Sequence, residues 1–182
     1  ETFTRSSRAH AAATGEQLDS ALEAFTAAWI AQYRDACEAT HVRAEQSEAL
    51  LDQRMACLDQ GLTTLGASLD VLHEADDDVI DRAPRLVDTL ADPSACSRRA
   101  TLGLASVLPA DPQQRARASE LLQQLARVRA MIAAGRTQDI LHLAESALER
   151  ARTLDSDALL AEALLVYGTV LETGGAHDDA AV

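Results

Sequence analysis

The chain predicts an all-α fold: an antiparallel helical hairpin or bundle followed by the start of a helical repeat solenoid. Three observations carry this. Hydrophobic residues make up 47% of the 182 positions but aromatics only 3%, so the core has to be built from Leu, Ala and Val. Apolar residues recur at three- and four-residue spacing over long stretches, the period of one buried helix face. A turn signature, Ala133-Ala134-Gly135-Arg136 followed by Ala144 and Ala147, returns forty residues later as Thr173-Gly174-Gly175-Ala176 followed by Ala180. A turn glycine followed by small residues is what lets helix pairs cross closely and stack. A chain of this length buries roughly 70% of its unfolded surface, enough for one or two cores.

Residues 1–15 are small and polar and read as a poorly ordered lead-in. From Glu16 the stripe Leu18, Leu22, Phe25, Trp29, Tyr33 and Cys37 marks a first long helix, its aromatic ladder read as a packed seam rather than a ligand platform. His41 to Glu48 is polar, and Ser47 is a good N-cap for the next helix. Leu51, Met55, Leu58, Leu62, Leu65, Leu69 and Leu72 then form a second stripe, with Gly61 and Gly66 suggesting close packing. Two such helices joined by a short polar turn make an antiparallel pair. Asp76-Asp77-Asp78 opens a third helix over about 78–91; acids there complement a helix N-terminus, and the alternating pattern of a calcium loop is absent. Asp92-Pro93 ends it, and 94–110 holds at most one short helix. Asp111-Pro112 is N-cap then N1 proline and starts a helix to about Ala134. Helices over 137–153 and 156–173 follow, with a truncated one from about 176. The domain reading is therefore a lead-in at 1–15, a helical-hairpin domain at 16–92, a linker with a short helix at 93–111, and degenerate repeats at 112–182.

The charge pattern excludes several functions. All sixteen basic residues are Arg, so the Lys of a P-loop, of a kinase phosphate grip or of a Schiff-base enzyme is missing. A net charge of −13 lacks the electrostatic footprint of a nucleic-acid binder. The most apolar stretch, Ala158 to Leu171, carries Glu162 and is shorter than the ~20 residues a spanning helix needs. There is no nucleophile motif of the Gly-x-Ser-x-Gly kind, and the abundant carboxylates are those of wet helix faces. Cys37 and His41 share a helix face, but no third and fourth ligand stands at zinc-like spacing, so no metal and no cofactor is expected. The chain begins at Glu1 without Met and stops one turn into a new helix, which reads as a fragment of something longer.

Cys37 and Cys57 are equidistant from position 47, where the turn is placed, so they are expected to face each other across the two helices. A disulfide between them and a pair of reduced core thiols are both open readings. Cys96 is left over, which in an oxidising compartment would suggest a partner beyond these residues.

Two segments carry a resemblance. Trp29-Ile-Ala-Gln-Tyr33, then Ala36-Cys-Glu-Ala-Thr-His41-Val-Arg-Ala-Glu-Gln-Ser47, then Leu51-Asp-Gln-Arg-Met-Ala-Cys-Leu58 resemble the region after the kinase domain in large bacterial serine/threonine protein kinases with tetratricopeptide repeats. Placing Gly135 and Gly175 at the turns of tetratricopeptide units puts Gly168 and Ala180 at the small positions of the second copy. Val128 and Ile140 occupy those of the first, which makes it a degenerate, capping-type repeat. The resemblance implies a parent that phosphorylates protein Ser/Thr with ATP and Mg, and a non-catalytic regulatory or interaction module here, since no catalytic kinase motif is present. It also implies a concave face formed by Leu122, Leu125, Arg129 and Ile132 of the first repeat and Glu162, Leu165, Thr169 and Glu172 of the second, suited to a protein or peptide partner. The rival readings are a small-molecule sensor beneath Phe25, Trp29 and Tyr33, and a structural dimerisation spacer. No nucleic acid and no membrane insertion by these residues is expected, and a homodimer is left open. In such kinases a membrane span often follows the catalytic domain; that would put this region outside the cytoplasm and favour a Cys37–Cys57 bond. Without it the region is cytoplasmic.

Overall fold

A computed structural model describes residue 3, residues 6–98, 109, 111–137 and 140–178, with side chains considered through 174. Every regular element among them is helical, as the composition predicts. In chain order these are α1 (Ala11–His41), α2 (Glu48–His73), α3 (Asp77–Asp88), a 3-10 helix (Pro93–Ser97), α4 (Pro112–Ala133), α5 (Ile140–Arg152) and α6 (Asp157–Asp178).

The two predicted caps, Ser47 and Asp111, act as such, and Asp76, read only as one of the acids that complement the helix dipole, is a third. Ser47 Oγ accepts from Leu50 N, Asp76 Oδ1 from Val79 N and Asp111 Oδ1 from Gln114 N, each satisfying a donor that the first helical turn leaves free. The start of α1 differs from expectation. It begins at Ala11, and the segment before it is tied to α3: Ser6 Oγ donates to Asp77 at 2.6 Å, Arg8 lies 3.1 Å from Asp81, and His10 Nε2 lies 2.9 Å from the same carboxylate. The acids at the head of α3 thus serve both the helix dipole and the Arg8 guanidinium.

α1 and α2 run antiparallel. A Cβ built on Gly61 would lie 3.5 Å from Phe25, Trp29 Nε1 donates to Leu58 O at 3.0 Å, and Arg54 reaches Gln32 and Asp35. The turn between them is held by polar side chains. Arg43 bonds Asp35, Glu38 and Glu45, while Gln46 Nε2 donates to Ala36 O and Thr40 Oγ1. Ala44 sits there at φ 53°, the left-handed conformation that reverses the chain.

Two cores meet on α4. Leu121, Leu125 and Val128 face α5 and α6, packing with Ile140, Ala144 and Val166. Ala126, Ala130 and Ala134, one turn apart on the other side, face Ala67 and Val71 of α2 and Val79 and Leu86 of α3. The helices on either side of 93–111 therefore share a core. The 3-10 helix belongs with the first half, since it packs on α1 and α2 and buries Pro93 and Cys96.

α4 ends in a Schellman turn, Arg136 N bonding Met131 O and Gly135 N bonding Ile132 O, with Gly135 at φ 71°. The second turn expected at Gly175 is not made. α6 continues as one helix through Asp178, and Thr173 Oγ1 donates back to Thr169 O as a residue inside a helix does. At Gly135 the Arg82 side chain covers the turn and Arg136 Nη2 anchors it to Glu74 O; Gly174 has, among the described residues, no neighbour within 4 Å of where a Cβ would stand. A glycine ends a helix only where other contacts reward the turn. The small position expected at Ala180 lies outside the described residues.

Candidate partner-binding surface

Four of the residues expected on a concave face come from α4 and four from α6. The structure joins them at one point, where Arg129 of α4 forms an ion pair with Glu162 of α6. Leu125 corrects the expectation: at 0% exposure it is a core residue between α4, α5 and α6 and offers no surface. Leu122 and Ile132 are half-buried against the same core, so each offers only an edge. The α6 residues other than Glu162 are the open ones. Leu165 is 64% exposed, Glu172 is exposed, and exposed Thr169 donates its hydroxyl to Leu165 O at 2.9 Å. The surface is thus an apolar and acidic face on α6, bounded by the Arg129–Glu162 pair.

Polar contacts stitch the neighbouring helices. Gln124 Nε2 of α4 donates to Leu143 O of α5 at 2.9 Å, and Arg150 of α5 reaches Gln124 and Glu120 of α4. These fix α5 against α4 and leave the far side of α6 uncovered among the described residues.

The cysteine pairing is corrected. Cys57 of α2 bonds Cys96 of the 3-10 helix, with Cα atoms 5.7 Å apart, and Cys37 is a half-buried free thiol. The register of the helix pair explains this. Phe25 lies level with Gly61 and Trp29 with Leu58, which places Cys57 opposite residue 30 or so rather than Cys37. Seven residues of helix separate those levels, roughly 10 Å. The turn spans 42–47, so its centre lies before Ser47, and symmetry about position 47 was the wrong axis.

The aromatic ladder is only partly a seam. Phe25 is buried against Gly61, Trp29 is half-buried, and Tyr33 stacks on Trp29 at 5.2 Å between ring centres with 44% of its surface exposed.

A cleft of about 170 Å³ lies between the end of α2 and α4, lined by Asp70, His73, Glu74, Arg127, Met131 and Arg136. It is smaller than the ~300 Å³ at which drug-sized ligand sites begin. Its most enclosed cation, Arg136, is committed to Glu74 O at 2.5 Å and lies 3.6 Å from Asp76. Among the described residues no group of three His, Cys, Asp or Glu is placed to hold a metal, and no helix is long and apolar enough to cross a membrane. No protein-family model, curated protein or solved structure matches the chain.

Proposed function

We propose that this chain is a non-catalytic protein-interaction module, with α4 and α5 as one tetratricopeptide-like repeat and α6 as the first helix of the next. The carrying observation is α6 itself: one side packs on α4 and α5, and the other presents Leu165 and Glu172 to solvent. An apolar side chain flanked by charge on a rigid helix is the kind of surface that binds a peptide or a protein helix. The resemblance in the first half supports a parent of the bacterial serine/threonine kinase class, in which this module regulates or recruits while ATP and Mg act elsewhere. The Cys57–Cys96 bond supports a position outside the cytoplasm, where disulfides persist.

The test of the module is capture of partners from the source cell by the chain and by a Thr169→Arg/Glu172→Arg variant, both checked for fold by circular dichroism. Loss of specific partners with the variant is expected; identical partners would refute the α4–α6 face as the binding surface. Alkylation of cysteines in intact cells tests the compartment. Cys57 and Cys96 are expected to be protected, and labelling of both would place the region in a reducing compartment.

The Trp29–Tyr33 stack, of which Tyr33 is the exposed member, favours a second reading, a small planar ligand held on α1. Its signature would be quenching of Trp29 fluorescence together with a ligand-dependent rise in melting temperature.

A further inference from the structure

α6 carries a seam that no other described residue covers. Ala161, Leu164, Gly168, Leu171 and Gly175 follow one another at alternating three- and four-residue steps, the spacing of a coiled-coil contact line. Between Ala158 and Leu171 the helix has only one charged residue, Glu162, and a helix apolar on all sides is one that is covered on all sides. Yet Leu164 and Leu171 are each 48% exposed. Gly168 adds an independent sign. A glycine inside a helix is destabilising, and a Cβ at this one would meet nothing within 4 Å among the described residues, so none of them requires it. Small residues at one position of the repeat and leucine at the other let a second helix approach closely.

Charge identifies the occupant. From Thr153 onward the chain has six carboxylates and no Arg or Lys. Glu162 is already paired with Arg129, which leaves exposed Asp157 and Glu172 flanking the seam. A second copy would bring acid against acid in a molecule of net charge −13. We propose that the outer face of α6 docks an amphipathic helix of a partner protein, one with an apolar heptad stripe bordered by Arg or Lys. This goes beyond the binding module above, because it names a different line of residues and the chemistry of what covers them.

The experiment titrates the full chain against three labelled synthetic peptides of about 24 residues. One has Leu at the two seam positions of each heptad with Arg on the flanks, one has the same composition scrambled, and one has Glu replacing Arg. Fluorescence anisotropy at low and moderate salt reads affinity. The Arg heptad peptide is expected to bind at least tenfold tighter than either control and to weaken as salt rises. Leu164→Glu/Leu171→Glu is expected to lower its affinity tenfold or more. Gly168→Met, which fills the floor of the seam, is expected to do the same. Because it changes a single position, it keeps the test decisive if the double variant unfolds. Thr169→Arg, on the neighbouring face, should leave peptide binding within about twofold, so failure of the first face and failure of this seam are separable. Equal binding of the scrambled peptide, no binding of the Arg peptide, or full binding by Gly168→Met would overturn the proposal. So would sedimentation of the wild type as a dimer that Leu164→Glu/Leu171→Glu dissociates, since a second copy would then be the occupant.

Discussion

Among the described residues Arg54 is the charged residue held in the interior, with its side chain 6% exposed. It reaches Asp35 at 2.8 Å and Gln46 at 3.1 Å, and its Nε is buried with no partner. Its partner is in a different position. Asp35 is about half exposed and also takes a 2.7 Å bond from Arg43. Removing one member of such a pair therefore depends on which is removed. Asp35→Asn leaves a guanidinium in the interior with only amides around it and is expected to cost on the order of 3 kcal/mol, the low end for an orphaned buried ion. Arg54→Met leaves a carboxylate that keeps water and Arg43, and is expected to cost about 1 kcal/mol or less; urea denaturation of both variants checks the order. The hydrogen bond from Arg54, helped by that from Arg43 and opposed by desolvation, holds the Asp35 carboxyl below its usual value. A depressed carboxyl contributes stability that is present above the unfolded-state value near 4 and is lost as pH falls through the lower folded-state value. The wild type should therefore lose stability on acidification below about pH 4 more steeply than Asp35→Asn, as read by urea midpoints across that range. None of this network was legible in the sequence. Arg54 falls among leucines at helical spacing, and only the six-residue turn, with Gln46 folded back on α1, brings Asp35 to it.

At the scale of elements, four glycines separate what a sequence states from what a fold decides. Gly61 suggests close packing, and Phe25 does lie against it; Gly66 suggests the same, and among the described residues nothing lies within 4 Å of a Cβ there. Gly135 and Gly175 looked like two copies of one turn, but only the first has α3 and the end of α2 beside it. The helix starts at Ser47, Asp76 and Asp111, by contrast, were legible, because a Ser or Asp N-cap acts within three residues of itself, whereas the uncapped start of α1 was not. Two substitutions of the same chemistry should accordingly have opposite signs. Gly135→Ala places a Cβ at φ 71° and about 2.6 Å from the Arg82 guanidinium, so it is expected to destabilise by roughly 1 to 2 kcal/mol. Gly168→Ala sits in a helix with open space around it and should stabilise by up to about 1 kcal/mol. Thermal melts of the two variants against the wild type check the pair. A loss of stability at Gly168 would mean that another group already approaches this face.

Over the whole molecule, the helices on both sides of 93–111 are joined by an interface the sequence conceals. Ala126, Ala130 and Ala134 of α4 meet α2 and α3, and alanines at four-residue spacing do not register as an apolar stripe beside the leucines of the same helix. The Cys57–Cys96 bond lies at the far side of the first half, tying the 3-10 helix to α2 across a sequence separation of 39. Loop-closure entropy for a ring of that size corresponds to about 4 kcal/mol at 25 °C, an upper figure because the unfolded chain keeps some compactness. The Cys57→Ser/Cys96→Ser variant, or the wild type with a phosphine reductant, is thus expected to lose on the order of 3 to 4 kcal/mol in urea unfolding. Cys37→Ser should unfold like the wild type and keep its dependence on reductant, since its thiol takes no part in the bond. If Cys37→Ser abolished the effect of reductant, the pairing across the helices would be the Cys37–Cys57 one after all. Because the 3-10 helix packs on α1 and α2 whereas α4 packs on α2 and α3, the loss should first appear as faster hydrogen exchange at 93–97 and along the middle of α2. α4 to α6, whose core of Leu121, Leu125, Val128 and Val166 contains no atom of the disulfide, should keep their protection until global unfolding.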